Sequence, residues 1–272
     1  MFPTFSARLT AMVARHIPFT FAAILLSLWP SFADAQDRSP VEPKSLPLPD
    51  QKVEPTQPAV EKIDGDRYRI GKITIDKKTR EIRFPAKVNM IEGLLEFLVV
   101  HENGKVHESL LATDISPTQL NLAFTLLSYR ASQELYPLPN GTGGVSNKFP
   151  DVPAEVKESA RIKIEFEWSE DGKSRKASAN EWIQHAVKTS ETMPSGAWVY
   201  GGSGFQDGKF NAEVTGDIIA IFLSQAAMIN YPGTDNQDDE VWVPYPKRVP
   251  EIGTNVTVII TPFSKTDKTP KS

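Results

Sequence analysis

Residues 161–176 read RIKIEFEWSEDGKSRK. Ile162, Ile164, Phe166 and Trp168 alternate with Lys163, Glu165 and Glu167. Period-two patterning of this kind makes a strand with one apolar and one wet face. The run ends in Asp171-Gly172, a pair that favours the positive φ angles of a two-residue hairpin turn. Pairing across that turn sets Glu167 opposite Lys176 and Trp168 opposite Arg175. The charges and the ring-to-guanidinium contact agree, so the register is self-consistent.

The same signal recurs outward from this hairpin. Asn103-Gly104 predicts a second hairpin, with Leu95, Phe97, Val99 and His101 of one strand facing Glu108, Val106 and Leu110 of the return strand. Asp207-Gly208 predicts a third, between Trp198–Phe205 and Lys209–Thr215. Ile73/Ile75 and Ile82/Phe84 predict a pair around Lys77-Lys78, and Asn255–Thr261 a last strand stopped by Pro262. Two helices have start signals. Ser116-Pro117-Thr118-Gln119 is a capping box with proline at the first helical position, followed by Leu120, Ala123, Phe124 and Leu127 at helical spacing. Ser178-Ala179-Asn180-Glu181 is a second box, with Trp182, Ile183, Ala186 and Val187 on one face. Ile218–Ile229 is apolar throughout and suits a buried strand running into a short helix. The expected fold is α+β: a mainly antiparallel sheet built from hairpins, with two or three helices packed on it.

The flanks read differently. Arg8 and Arg15 precede an apolar run, Ile17–Trp29, that ends in Ala33-Asp34-Ala35. That is the three-part layout of a secretory signal peptide over residues 1–35, with cleavage near Ala35. The run is shorter than the roughly 20 residues a spanning helix needs; the alternative is a retained N-terminal anchor. The expected location is secreted or periplasmic, with no membrane span after cleavage. Residues 36–64 carry six prolines among polar residues and read as a disordered linker. The globular domain is expected over 65–263, and 264–272 as a disordered tail.

Composition narrows the chemistry. The chain has no cysteine, which removes disulfides, iron–sulfur clusters and Cys-ligated zinc. Without residues 1–35 it has 28 basic and 33 acidic residues, a net charge of −5. No basic stripe marks a nucleic-acid partner.

The segments GLLEFLVV, NGK and HESLLATDISP within 93–117, then GAWVYGGS at 196–203 and VTGDIIAI at 214–221, resemble the YdjY domain of bacterial proteins. The resemblance spans roughly 80–262. It implies one domain and a bacterial envelope setting, and it carries no catalytic residue. Some members have a cysteine-rich, ferredoxin-like part; this chain has no cysteine, so that part does not transfer.

Candidate site residues are few. Glu108, placed on the apolar face opposite Val99, would have the raised pKa common in catalytic acids, with His107 as partner; the alternative is a locally satisfied strand carboxylate. Adjacent strand residues point to opposite faces, which keeps His107 and Glu108 apart. His101 and His107 share a face only if the turn has three residues. Ser203 in Gly201-Gly202-Ser203-Gly204 lacks the ending of a phosphate loop and a partner base. Asp235, Asp238, Asp239 and Glu240 offer the oxygen ligands calcium takes, without EF-hand spacing; a solvated acidic loop is the alternative. His185 is expected in solvent. With no paired carboxylates, triad or cofactor loop, the leading expectation is a non-enzymatic envelope module that binds a protein partner or small ligand and needs no cofactor. The rival is a hydrolase or metal-assisted enzyme using Glu108 or the Asp235–Glu240 loop.

Overall fold

The computed structural model describes residues 59–189 and 191–264. The segment read as a signal peptide, the stretch read as linker as far as residue 58 and the stretch read as a tail from 265 lie outside the described residues. Among the described residues sixteen strands and three α-helices follow one another. The first strands are β1 (Val60–Asp64), β2 (Arg67–Ile70), β3 (Ile73–Asp76), β4 (Glu81–Val88), β5 (Phe97–His101) and β6 (Ser109–Thr113). Then come α1 (Pro117–Leu126), α2 (Ala154–Ala160), β7 (Arg161–Glu170), β8 (Lys173–Ser178), β9 (Ile183–His185), β10 (Trp198–Tyr200), β11 (Phe205–Gln206) and β12 (Lys209–Phe210). The chain finishes with α3 (Asn211–Thr215), β13 (Asp217–Ala220), β14 (Ile229–Asn230), β15 (Trp242–Pro244) and β16 (Asn255–Pro262).

The fold is mostly β. The strand order β4-β16-β7-β10-β14-β13-β5-β6 returns to β4 through Lys87↔Ala112 and Val88↔Leu111, which closes an eight-stranded barrel. Closure leaves those strands no free lateral edge. β1–β3 extend the sheet from β4, whose first half pairs with β3 and whose end pairs with β6. β1 occupies the last residues of the stretch read as linker, so residues 60–64 are a strand and not linker. The reason is local: β1 and β2 form a hairpin over Gly65, whose φ is positive.

Where turn chemistry and alternation agree, the sequence reading holds. β7 and β8 pair with Glu167↔Lys176 and Trp168↔Arg175. Asp171 and Gly172 have φ of 52° and 73°, as a type I′ turn requires. β3 and β4 pair Ile75 with Ile82. Ser116 caps α1, its Oγ accepting from the Gln119 amide at 3.3 Å. Leu120, Ala123 and Phe124 of that helix are fully buried, and the Phe124 ring stacks on Tyr200 at 4.1 Å. Phe84, Ile164, Phe166, Val258 and Ile260 are also sealed in the main core. Each is worth about 1.5–3 kcal/mol of transfer free energy.

Four expectations are corrected. First, β5 and β6 are parallel, not a hairpin, with Phe97↔Ser109 and Val99↔Leu111. Asn103 and Gly104 lack positive φ, so no type I′ turn forms. The chain instead doubles back through a 3-10 turn at Val106–Glu108. Second, the Ser178 box opens no α-helix. One 3-10 turn, Ala179–Trp182, leads into β9, which pairs with β15. Trp182 is buried against Phe166 and Trp168, and that packing overrides the local helix signal. Third, the Asp207-Gly208 hairpin is only β11–β12; the return strand turns into α3. Fourth, β13 is followed by a loop and by parallel β14 instead of a helix. The sheet is therefore mixed. The buried apolar runs of β5, β6 and β13 are typical of parallel strands covered on both faces.

Candidate functional site

A groove at one end of the barrel strands β7, β10 and β14 holds about 390 Å³. Its walls come from Arg161 at the start of β7, Asn180 in the 3-10 turn, the 194–197 segment before β10, Tyr231–Gly233 after β14, and Phe263 after β16. A space of this size falls in the range of small-molecule sites.

Two polar side chains on the wall, Asn180 and Arg161, are held in place. The Asn180 amide donates to Pro194 O at 2.7 Å, and its carbonyl accepts from the buried Trp198 Nε1 at 3.1 Å. One Asn side chain thus fixes the 194–197 wall to the barrel. Arg161 reaches the nearly buried Glu134 at 2.7 Å, a contact that is ionic and not a well-formed hydrogen bond. That carboxylate neutralises the guanidinium, and Glu158 lines the same groove. The site therefore has no strong net charge. The Tyr231 phenol is pushed up to about 12, first by burial and then by the nearby Asp235 charge, so it is a neutral hydroxyl at physiological pH. Gly233 has to be small here, because a Cβ would stand 2.2 Å from the Tyr231 ring. Gly196, by contrast, has open space in front of it.

The residues singled out from sequence lie elsewhere. His107 and Glu108 share the 3-10 turn, not a strand. That brings His107 Nε2 within 3.4 Å of Glu108 Oε1, although strand geometry had kept them apart. Glu108 has a carboxylate neighbour, Glu96, so paired carboxylates do occur. The Glu96 carboxyl is raised, by burial first and then by the Glu108 charge; Lys105, 3.9 Å away, opposes the shift. Asp239 adds a smaller push on the same group. The two sites treated as separate in the sequence, Glu108 and the acidic loop, thus share one neighbourhood. Within that loop Asp238 Oδ1 accepts from the Glu240 amide at 3.0 Å, and Asp235 lies beside Tyr231. Among the described residues no three His, Asp or Glu side chains form a group that could hold a metal ion.

The remaining candidates have structural partners. Ser203 Oγ donates to Ala226 O at 2.6 Å and accepts from the Ala212 amide at 3.2 Å, which clasps the glycine-rich turn to α3. His101 Nδ1 accepts from the Asn103 amide at 3.1 Å. His185 is only partly exposed: its ring meets Trp242 edge-on at 5.6 Å, and its Nδ1 accepts from Val187 N at 3.1 Å.

Sequence reading missed the groove because its wall segments are far apart in the chain. The GAWVYGGS segment supplies Gly196 and Ala197, and Asn180 and Arg161 lie in stretches read only as a helix start and a strand. It missed Glu96 because Glu96 meets Glu108 only once β6 runs parallel to β5; the Glu108 carbonyl accepts from the Glu96 amide at 3.1 Å.

No helix among the described residues is long and apolar enough to cross a membrane. No curated protein and no solved structure matches the chain. The YdjY domain matches residues 73–261, from the start of β3 to the penultimate residue of β16, which is the whole barrel. The chain therefore belongs to the YdjY domain family.

Proposed function

We propose that this protein is an exported envelope module that binds a small, largely uncharged ligand in the Arg161–Asn180–Tyr231 groove. The observation that carries the reading is the groove itself: about 390 Å³, with apolar walls and a few pre-positioned polar groups. Compensation of Arg161 by Glu134 argues against a strongly anionic ligand. Export rests on Arg8, Arg15, the Ile17–Trp29 run and Ala33-Asp34-Ala35. The reading assigns no cofactor.

The test is a thermal-shift screen of residues 36–272 against small neutral compounds, repeated on Gly196→Phe. Nothing lies within 4 Å of a Cβ at Gly196, so a side chain can start there without a clash, and a Phe ring adds bulk at the groove wall; an unchanged circular dichroism spectrum checks that the variant folds. A ligand at about 100 times its Kd stabilises by about 2.7 kcal/mol. Stabilisation of the parent that disappears in the variant supports the reading. Stabilisation that survives in Gly196→Phe, or a screen with no stabilising compound, sinks it.

A second reading, a hydrolase acting through Glu108, is favoured by one observation. A Glu96 carboxyl biased toward its protonated form beside Glu108 is the kind of pair that general acid–base chemistry uses. Under that reading Glu108→Gln removes a hydrolytic activity while the fold persists.

A further inference from the structure

We propose that Lys105 and Asp217 condense into an intramolecular amide that cross-links the 102–108 loop to the start of β13, with Glu96 as the proton acceptor. Three placements support this. The glycines next to the two residues touch: a Cβ on Gly216 would stand 2.9 Å from the Gly104 Cα, and His101 N donates to Gly216 O at 2.8 Å. The backbones that carry Lys105 and Asp217 are therefore held against each other.

The two side chains also share a face of the sheet. Asp217 pairs with Val100 across β13 and β5, and directly paired residues project to the same side. Val100 belongs to a small apolar cluster with Phe97, Ala220 and Ala227, covered by Val106. Lys105 Nζ stands 5.0 Å over the Phe97 ring of that cluster and 3.9 Å from Glu96.

Asp217 is, finally, an unexplained group. It is 3% exposed, and its Oδ1 has no hydrogen-bond partner among the described residues, while Oδ2 accepts from Ser224 Oγ at 3.2 Å. A buried carboxyl oxygen left unpaired costs about 1–3 kcal/mol. Conversion to an amide removes the buried acid altogether. Burial pushes the Asp217 carboxyl toward its neutral form, against the Lys105 charge and the Ser224 and Thr215 hydroxyls, and a neutral carboxyl is the electrophile the reaction needs.

The step balances without a co-reactant. Glu96 takes one proton from the Lys105 ammonium. The freed Nζ lone pair attacks Asp217 Cγ, the N–C bond forms, and the Cγ–OH bond breaks. A second amine proton leaves with that hydroxyl as water. The third stays on the amide nitrogen, and Glu96 returns its proton to solvent. Nothing is oxidised or reduced. Lys105 Nζ is held nearest Glu96, at 3.9 Å, and the reaction requires its half-exposed side chain to turn onto the Asp217 carboxyl. Fixed proximity of two groups supplies large effective concentrations, and exclusion of water protects the product. For a chain with no cysteine, this bond would do the work of a disulfide.

The test is the intact mass of the folded, purified protein under denaturing conditions, set against the mass expected from its measured N-terminus. The proposal expects a deficit of one water. Fragmentation should show a branched peptide joining Lys105 to Asp217, and Lys105→Arg and Asp217→Ala should each restore the full mass. A wild-type protein at full mass overturns the proposal, as does a water loss that maps to other residues. The wild-type mass decides the question even if a variant fails to fold.

Discussion

Arg83 on β4 reaches over the intervening strand β16 to Glu167 on β7, where its guanidinium hydrogen-bonds the carboxylate. This ion pair staples three barrel strands on their outer face. The Arg83 bond is the main reason the Glu167 carboxyl is held below its usual range.

A group with a depressed folded pKa stabilises the fold above its unfolded pKa and loses that contribution as pH falls through the folded value. Glu167→Gln should therefore lower stability at pH 7. Both side chains are about a third exposed, so the loss is at most on the order of 0.5 kcal/mol. The difference should fade below about pH 4, where the unfolded glutamate is already protonated. Denaturant unfolding of both proteins at the two pH values checks this; an equal gap at both would contradict it.

Gly216 closes α3 in the left-handed region at φ 80°, with the Gly104 backbone against it. Gly216→Ala meets two penalties, an unfavourable φ and a backbone contact that cannot rotate away. The expected loss is about 2 kcal/mol or more. Gly196→Ala, with open space and no positive φ, should cost much less. Comparable losses in the two variants would refute the close-approach explanation.

Asp235, Asp238, Asp239 and Glu240 are not part of any group able to hold a metal among the described residues. The melting temperature should be the same in millimolar calcium and in chelator. A ligand that binds only the folded state raises it, so a clear rise with calcium would revive the cation reading of this loop.

On the proposed export reading, N-terminal sequencing of the protein purified from the envelope fraction should begin at Gln36, directly after Ala33-Asp34-Ala35. Recovery of Met1 in the envelope fraction would instead indicate a retained anchor.

The amino-acid sequence by itself determined the elements whose information is local. The β7–β8 register follows from alternation and from a turn dipeptide that tolerates positive φ. The start of α1 follows from Ser116 and Pro117. The β3–β4 pairing follows from two short alternating runs close in the chain. The Asn103-Gly104 dipeptide makes the runs Phe97–Val100 and Ser109–Leu111 read as two strands of a hairpin, whereas the structure buries them on both faces as parallel strands. Tertiary structure decided that conflict: the backbone at Gly104 is needed against Gly216, and β6 is needed between β5 and β4 to close the barrel. Closure, in turn, put Glu96 beside Glu108 and Lys105 beside Asp217, and it gathered residues from 158 to 263 around one groove. Such meetings depend on burying a shared core between segments distant in the chain, and no local propensity encodes that.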